Sequence, residues 1–371
     1  MAPLRRCHLF KNIQNQAVMM RDVLLLIGLL LFPPFLFPQQ NNPAQQNNSP
    51  TPIEKQYESF KNTFDKETTH SPENNPNTNK SRIGFNYQPS ALEPWVTEFS
   101  VPDQENLLLT LGISDPGLDS ANAMKQAVIR AKGLLAMFSE TAIQNITDCY
   151  TNEYNGSERM EKFTSFSKIE SQKNISISGF QIYRQGFTNF GEAIVLAGIP
   201  KAQNDAHNPT VFTKAEYFLS EEGENEHLKM TSTYKLFVTD EAGNAVDFTA
   251  YKTKKGILVT SILNTDSIEF DYSKFRYFTQ NNQDISDDEL FDYSYADLTN
   301  GLWNAWFLAS LRQMEMGQKY TSDLRKMGDI YSSKYQNLTR EISENQLGFD
   351  LEKILIKDNT FYLKLRKNKK F

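Results

Sequence analysis

The stretch LGISDPGLDSANAMKQAVIRAKGLLAMF, residues 111–138, decides how the fold is read. It runs from an apolar strand end through a Gly/Pro turn into a long alanine-rich helix. Ala123, Ala127, Ala131, Leu134, Phe138, Ala142 and Ile146 recur at steps of three and four, which predicts one continuous helical face. The first half of that face is small and the second bulky. Methyl side chains at 123, 127 and 131 let a second backbone approach closely, as a helix lying on a sheet requires. Asp119 or Ser120 is the expected N-cap, and Asp115 followed by Pro116 offers a second start one turn earlier.

The turn invites comparison with a phosphate cradle, which needs glycines for close approach and then a lysine and a hydroxyl for phosphate and metal. Gly112 and Gly117 occupy the first two required positions, but Leu118 and Asp119 follow where Lys and Ser or Thr belong. An aspartate there repels an anion. The dinucleotide pattern lacks its third glycine in register, and no alternating βαβ series follows. The turn therefore reads as a corner, with no cofactor expected.

Outward from this unit, residues 23–32, VLLLIGLLLF, form an apolar run that meets Pro33 and Pro34. A bilayer-spanning helix needs roughly 20 residues, so the run is short for a span. With Arg21 before it and PQQNNPAQQNNS after it, it has the layout of a secretory signal peptide over residues 1–38; an uncleaved anchor is the alternative. Residues 39–81 are rich in Asn, Gln, Pro, Ser and Thr and read as a disordered tether, with YESFKNTF, residues 57–64, as a short helix within it. Removing residues 1–38 leaves 35 basic against 44 acidic residues, a balance that disfavours nucleic acid as a partner. Cys149 is then the sole cysteine, so no intramolecular disulfide can form; it reads as a small hydrophobe near a helix end.

After Gly156 the apolar period falls to two. NISISGFQIYRQGF, GEAIVLAGIP, TVFTKAEYFL, LKMTSTYKLFVT, AVDFTAYKTKKGILVTSIL and SIEFDYSKFRYF alternate or are enriched in β-branched residues, predicting an antiparallel sheet. TDEAGNA, residues 239–245, is its clearest hairpin connection. From about 288 to 344, Leu298, Leu302, Trp306, Tyr320, Leu324, Met327, Tyr331, Leu338 and Ile342 recur at helical spacing, and FDLEKILIKDNTFYLKLRK reads as a closing hairpin. The expected fold is α+β: an antiparallel sheet packed with an alanine-rich helix and long carboxy-terminal helices. An α+β domain spans 82–284, and a helical segment with its hairpin spans 285–371 on the same core.

Chemistry-bearing patterns are few. His207 in NDAHNPT and His227 in GENEHLK sit in polar, loop-like settings, and no HExxH, CxxC or Gly-x-Ser-x-Gly occurs. The acidic cluster Asp284, Asp287, Asp288 and Glu289 lacks calcium-loop spacing and suits a helix amino terminus. No catalytic, cofactor-binding or metal-ligating residue is assigned. Two features remain for a partner. Trp303 and Trp306, with Phe307, Leu302, Leu308 and Leu311, make an apolar girth that reads first as core and second as a partner site. The tail Lys364, Arg366, Lys367, Lys369 and Lys370 reads first as a solvated end and second as a contact to anionic lipid or cell-wall polymer.

PWV at 94–96, the strand ending in LGISDPGLD and the helix ANAMKQAVIRAKGLLA together resemble the domain of the LPP-type bacterial envelope lipoproteins, which is similar to the amino-terminal domain of a flagellar T-ring protein. The resemblance spans about residues 92–146. It implies an α+β domain in the periplasm or cell envelope, with a structural or assembly role and no catalytic residues. This chain departs from it in lacking a lipid-accepting cysteine after the apolar run and in its long additional sheet-and-helix portion. The expectation is an exported, non-enzymatic protein that binds an envelope protein or cell-wall polymer, with membrane contact only through an uncleaved signal. A secreted hydrolase with a nonstandard site and a small-ligand carrier are the alternatives.

Overall fold

The computed structural model describes residues 50–69, 87–99, 101–154, 157–171, 177, 179–201, 211–224, 227–240, 242–252, 257–260, 267–269, 274–279, 291–294, 298–312, 318–323, 337–357 and 360–367. Helix α1 (Pro52–Thr69) comes first, then strands β1 (Ser90–Leu92) and β2 (Leu107–Ile113) and helix α2 (Ser120–Ser139). Eleven strands follow: β3 (Thr141–Tyr154), β4 (Ser157–Ser171), β5 (Gln181–Phe187), β6 (Ala193–Pro200), β7 (Phe212–Glu224), β8 (His227–Thr239), β9 (Ala245–Lys252), β10 (Ile257–Thr260), β11 (Ser267–Glu269), β12 (Tyr277–Thr279) and β13 (Phe291–Ser294). Helix α3 (Leu298–Arg312) precedes β14 (Gln318–Asp323), β15 (Asn337–Leu347), β16 (Phe349–Lys357) and β17 (Thr360–Lys367).

One sheet organises the molecule. Its nine strands lie in the order β11-β10-β9-β8-β7-β4-β3-β15-β14, antiparallel at every step. Smaller sheets have the orders β2-β6-β5 and β13-β17-β16, and β1 pairs with β12 in parallel. Helix α2 is sandwiched between the β2-β6-β5 sheet and the large one, which explains why its burial is not confined to one stripe. On one side Ala123, Ala127 and Ala131 pack on Ala193, Val195 and Ala197 of β6. A Cβ added to Gly112 of β2 would lie 2.0 Å from the Ala127 carbonyl oxygen and 2.7 Å from the Ala131 Cβ, so this contact tolerates nothing beyond hydrogen. On the other side the Gly133 carbonyl accepts from Thr213 Oγ1 of β7 at 3.1 Å.

Adjacent residues of a strand face opposite ways, and β7 uses both faces. Tyr217 joins the main core and stacks on Phe307 of α3 with centroids 4.7 Å apart. Its neighbour Phe218 instead packs with Ile146 and Phe166 beneath Ile53, Tyr57 and Phe60 of α1. Thus α2 and α3 cover one face of the large sheet and α1 covers the other.

The expected α+β fold with long carboxy-terminal helices is overturned: the described chain is mostly strand, with three α-helices. Among the described residues of the anticipated helical region, only 298–312 are helical; Tyr320 lies in β14 and Leu338 and Ile342 in β15, while Leu324, Met327 and Tyr331 fall outside the described residues. The reason is that a step of four, as from 338 to 342, returns a side chain to the same face in a strand as well as in a helix. The same ambiguity misplaced Ala142 and Ile146. Helix α2 stops at Ser139, Glu140 is extended at φ −163° and ψ 127°, and Thr141 opens β3, so Cys149 sits in a strand and not near a helix end. The change to strand comes some 15 residues earlier than the Gly156 boundary. The short helix read at 57–64 is present and longer, as α1 over Pro52–Thr69, and it buries Tyr57 completely, so this part of the segment is packed and not a free tether. The proposed signal at 1–38 and the rest of the tether lie outside the described residues. Among the described residues, no helix is long and apolar enough to cross a membrane. PWV forms a single 3-10 turn, Pro94–Val96.

Candidate functional site

The quoted stretch folds as a corner with a polar interior. Strand β2 ends at Ile113, the Ser114 amide donates to the Ala193 carbonyl at 3.0 Å, and the Gly117 amide donates to the Phe190 carbonyl at 3.1 Å. Gly117 takes φ +78°, where a glycine avoids the Cβ penalty. Asp119 is the N-cap of α2 and accepts from the Asn122 amide at 3.1 Å. That first-turn donor, which a bound anion would need, is already used. The Asn122 hydrogen bonds hold the Asp119 carboxyl below the usual carboxylate range.

Asp115, the rival cap, turns inward. Arg130, two and a half turns along α2, donates from Nη1 to Asp115 Oδ1 at 2.6 Å and from Nη2 to Asp115 Oδ2 at 2.8 Å. Its Nε donates to Asp247 Oδ2 of β9 at 2.7 Å, Nη1 also reaches the Ile113 carbonyl at 3.1 Å, and Nη2 reaches the Thr249 hydroxyl. Gln126, one turn before Arg130, donates from Nε2 to Asp115 Oδ2 at 3.0 Å and to Asp247 Oδ1 at 3.3 Å, and its Oε1 accepts from the Asp115 amide at 2.7 Å. All of these side chains are buried. Burial pushes the Asp247 carboxyl up, helped by the Asp115 charge and opposed by Arg130. For Arg130, burial alone would lower the guanidinium, but the two carboxylates outweigh it and raise it.

A second cluster fastens α1. The Tyr57 hydroxyl donates to Asp148 Oδ2 of β3 at 2.8 Å and shares a hydrogen bond with Thr164 Oγ1 of β4 at 2.7 Å. Arg340 of β15 donates to Asp148 Oδ1 at 2.7 Å and Oδ2 at 2.8 Å, and reaches Glu58 of α1 at 3.1 Å. Burial and the Asp148 charge push the Tyr57 phenol well up. A third cluster centres on buried Glu192, which accepts from the Tyr277 hydroxyl, from Thr188 Oγ1 at 2.9 Å, and from the Leu298 amide at the start of α3 at 3.3 Å. Each cluster joins elements distant in sequence, and each acid's named partners belong to the chain itself.

The partner candidates divide. Trp303 and Trp306 lie in the core at 1% and 0% exposure, with the Trp306 and Phe138 ring centroids 6.5 Å apart, so both tryptophans face inward. In the basic run, Lys364 pairs with Glu352 at 3.4 Å and Arg366 with Asp350 at 3.2 Å. Lys367 closes β17, while Lys369 and Lys370 lie outside the described residues, as do His207 and Asp284, Asp287, Asp288 and Glu289. His227 is not in a loop: it begins β8 opposite Glu224. Among the described residues, no group of three His, Cys, Asp or Glu is arranged to hold a metal. The exposed large apolar side chains are elsewhere, at Ile182 and Phe187 on β5 and Phe278 on β12.

Sequence reasoning missed Arg130, Gln126 and Asp247. The visible clue was Gln126 and Arg130, four apart on one face of the helix, which places a polar stripe where packing is expected. Asp247, 117 residues from Arg130, carries no local sign of its role.

Comparison of the chain with protein-family models, with curated proteins and with solved structures gives no match.

Proposed function

We propose that the chain is an exported protein of the bacterial cell envelope, structural or assembly in type, that binds another macromolecule and performs no catalysis. The observation that carries the reading is strand β5. It is the edge of the β2-β6-β5 sheet, and it presents Ile182 at 40% and Phe187 at 51% exposure. An edge strand offers unpaired backbone groups, and apolar side chains beside them suit an extended segment of another protein added as a further strand. Export rests on the apolar run at 23–32 with its flanking residues. The likeness of residues 92–146 to the LPP-type domain supports the envelope and the assembly role. Placement of the polar residues also favours binding over hydrolysis. Cys149 on β3 and His227 on β8 are separated by three strand steps, roughly 14 Å at the usual spacing, too far to act as one nucleophile and base.

The test is affinity capture of the full-length protein from the envelope of its own cells, beside an Ile182→Lys/Phe187→Asp variant of unchanged unfolding midpoint. The expected result is one specific envelope protein with the parent chain and its loss with the variant. Equal capture by both would overturn the edge-strand reading, and recovery of the chain solely from the cytosol would overturn the envelope reading.

A further inference from the structure

We propose that the Asp115–Arg130–Asp247 cluster is a proton-operated clamp: folding favours the protonated form of Asp247, and so the β9 side of the large sheet is fastened to α2 more tightly in acid. Two carboxylates face one guanidinium, and all three side chains are at most 1% exposed. Ionised throughout, the cluster would carry one uncompensated negative charge away from water, which is costly unless a proton neutralises it.

The geometry selects the carboxylate that takes the proton. An arginine has five N–H donors, and those of Arg130 reach Asp115 Oδ1, Asp115 Oδ2, the Ile113 carbonyl, the Thr249 hydroxyl and Asp247 Oδ2. Asp115 thus receives two of the charged bonds and Asp247 one. The second oxygen of Asp247 faces only the neutral Gln126 amide, at a longer 3.3 Å. No donor of Arg130 is left to serve it. The charged groups facing Asp247 are Arg130 from α2 and Asp115 from the corner, with Gln126 and Thr249 as neutral neighbours; burial and the Asp115 charge together raise its carboxyl.

The sign follows from linkage. A carboxyl raised in the folded state holds a proton that the unfolded chain, with its ordinary value of 3.8, releases. The penalty of the buried charge is therefore absent in acid and grows as pH rises through the raised value. The clamp weakens toward alkaline pH, the reverse of a salt-bridged carboxylate.

Urea unfolding of the full-length chain from about pH 4 to 8 tests this, upward from the unfolded carboxyl value, with the parent and Asp247→Asn compared at each pH. The parent's unfolding constant is expected to rise with pH by up to about tenfold per unit, the limit for one proton. Asp247→Asn, a neutral isostere, removes that component, while the histidines contribute equally to both. Identical pH slopes in the two proteins would overturn the clamp. If the variant does not fold, infrared spectroscopy of the parent decides. A protonated-carboxyl carbonyl band that persists to higher pH in the folded chain than in the unfolded one supports the proposal, and its loss at the same pH in both overturns it.

Discussion

Arg130 and Asp115, 15 residues apart, meet as a two-pronged ion pair at 2.6 and 2.8 Å with no exposure of either side chain to speak of. The pair closes the corner between β2 and α2 from inside. Removing one partner of a buried pair leaves the other charge without compensation, at about 3–5 kcal/mol. Arg130→Met, which strands the Asp115 carboxylate and takes a donor from Asp247, is expected to lie in this range by urea unfolding. Arg130→Lys is expected to restore little, because an ammonium cannot make the planar fork. A loss below about 1 kcal/mol for Arg130→Met would remove the cluster from the stability of the corner.

The contact of α2 with β2 and β6 predicts a steric outcome. With the Ala127 carbonyl 2.0 Å from where a Gly112 side chain would begin, added bulk must move backbone. Ala127→Leu is expected to destabilise the chain by about 1–3 kcal/mol through overpacking. Gly112→Ala, despite adding one methyl, is expected to be at least as harmful. An unchanged denaturation midpoint for Ala127→Leu would mean that this helix face is open.

Helix α1 should respond to the Tyr57 hydroxyl. Tyr57→Phe keeps the ring beside Phe166 but takes a donor from buried Asp148, an effect of about 1–3 kcal/mol. The expected readout is faster hydrogen exchange and earlier proteolysis within 50–69, with the rest of the chain unchanged. Replacement of exposed Lys55 by Ala is expected to change neither. Equal protection of α1 in Tyr57→Phe and the parent would show that its apolar side chains suffice.

Asp119 gives a pH effect of opposite sign to that of Asp247. Its carboxyl is lowered by hydrogen bonds from Asn122, so its contribution is present above the unfolded value of 3.8 and lost as pH falls through the folded one. Asp119→Asn, which can still cap, is expected to remove this acid-side component of stability with little change at neutral pH. ATP and NAD are expected to leave the melting temperature unchanged. A saturable upward shift with either would return the Gly117 turn to the class of anion sites.

Several elements were legible because their signals are local. The hairpin at 239–245 forms as anticipated, with Gly243 at φ +81° and its amide donating to the Asp240 carbonyl at 3.0 Å. The closing hairpin of β16 and β17 and the alanine face of α2 against a sheet were likewise readable. Misreadings arose where two periodicities coincide, at Phe138–Ala142–Ile146 and at Leu338–Ile342, since a step of four suits both a helix and a strand. Composition misled at α1, where Ile53, Tyr57 and Phe60 are few but stand on one face and find Ile146, Phe166 and Phe218.

By itself the sequence determined local geometry: where backbone turns, where a small-residue helix face must meet another backbone, and which strands alternate. Those properties depend on residues within a few positions of one another. Tertiary structure alone decided that Arg130 meets Asp247 and that Tyr57 meets Asp148. These outcomes depend on which surfaces exclude water together across sequence separations of 91 and 117, and no pattern confined to neighbouring residues encodes that distance.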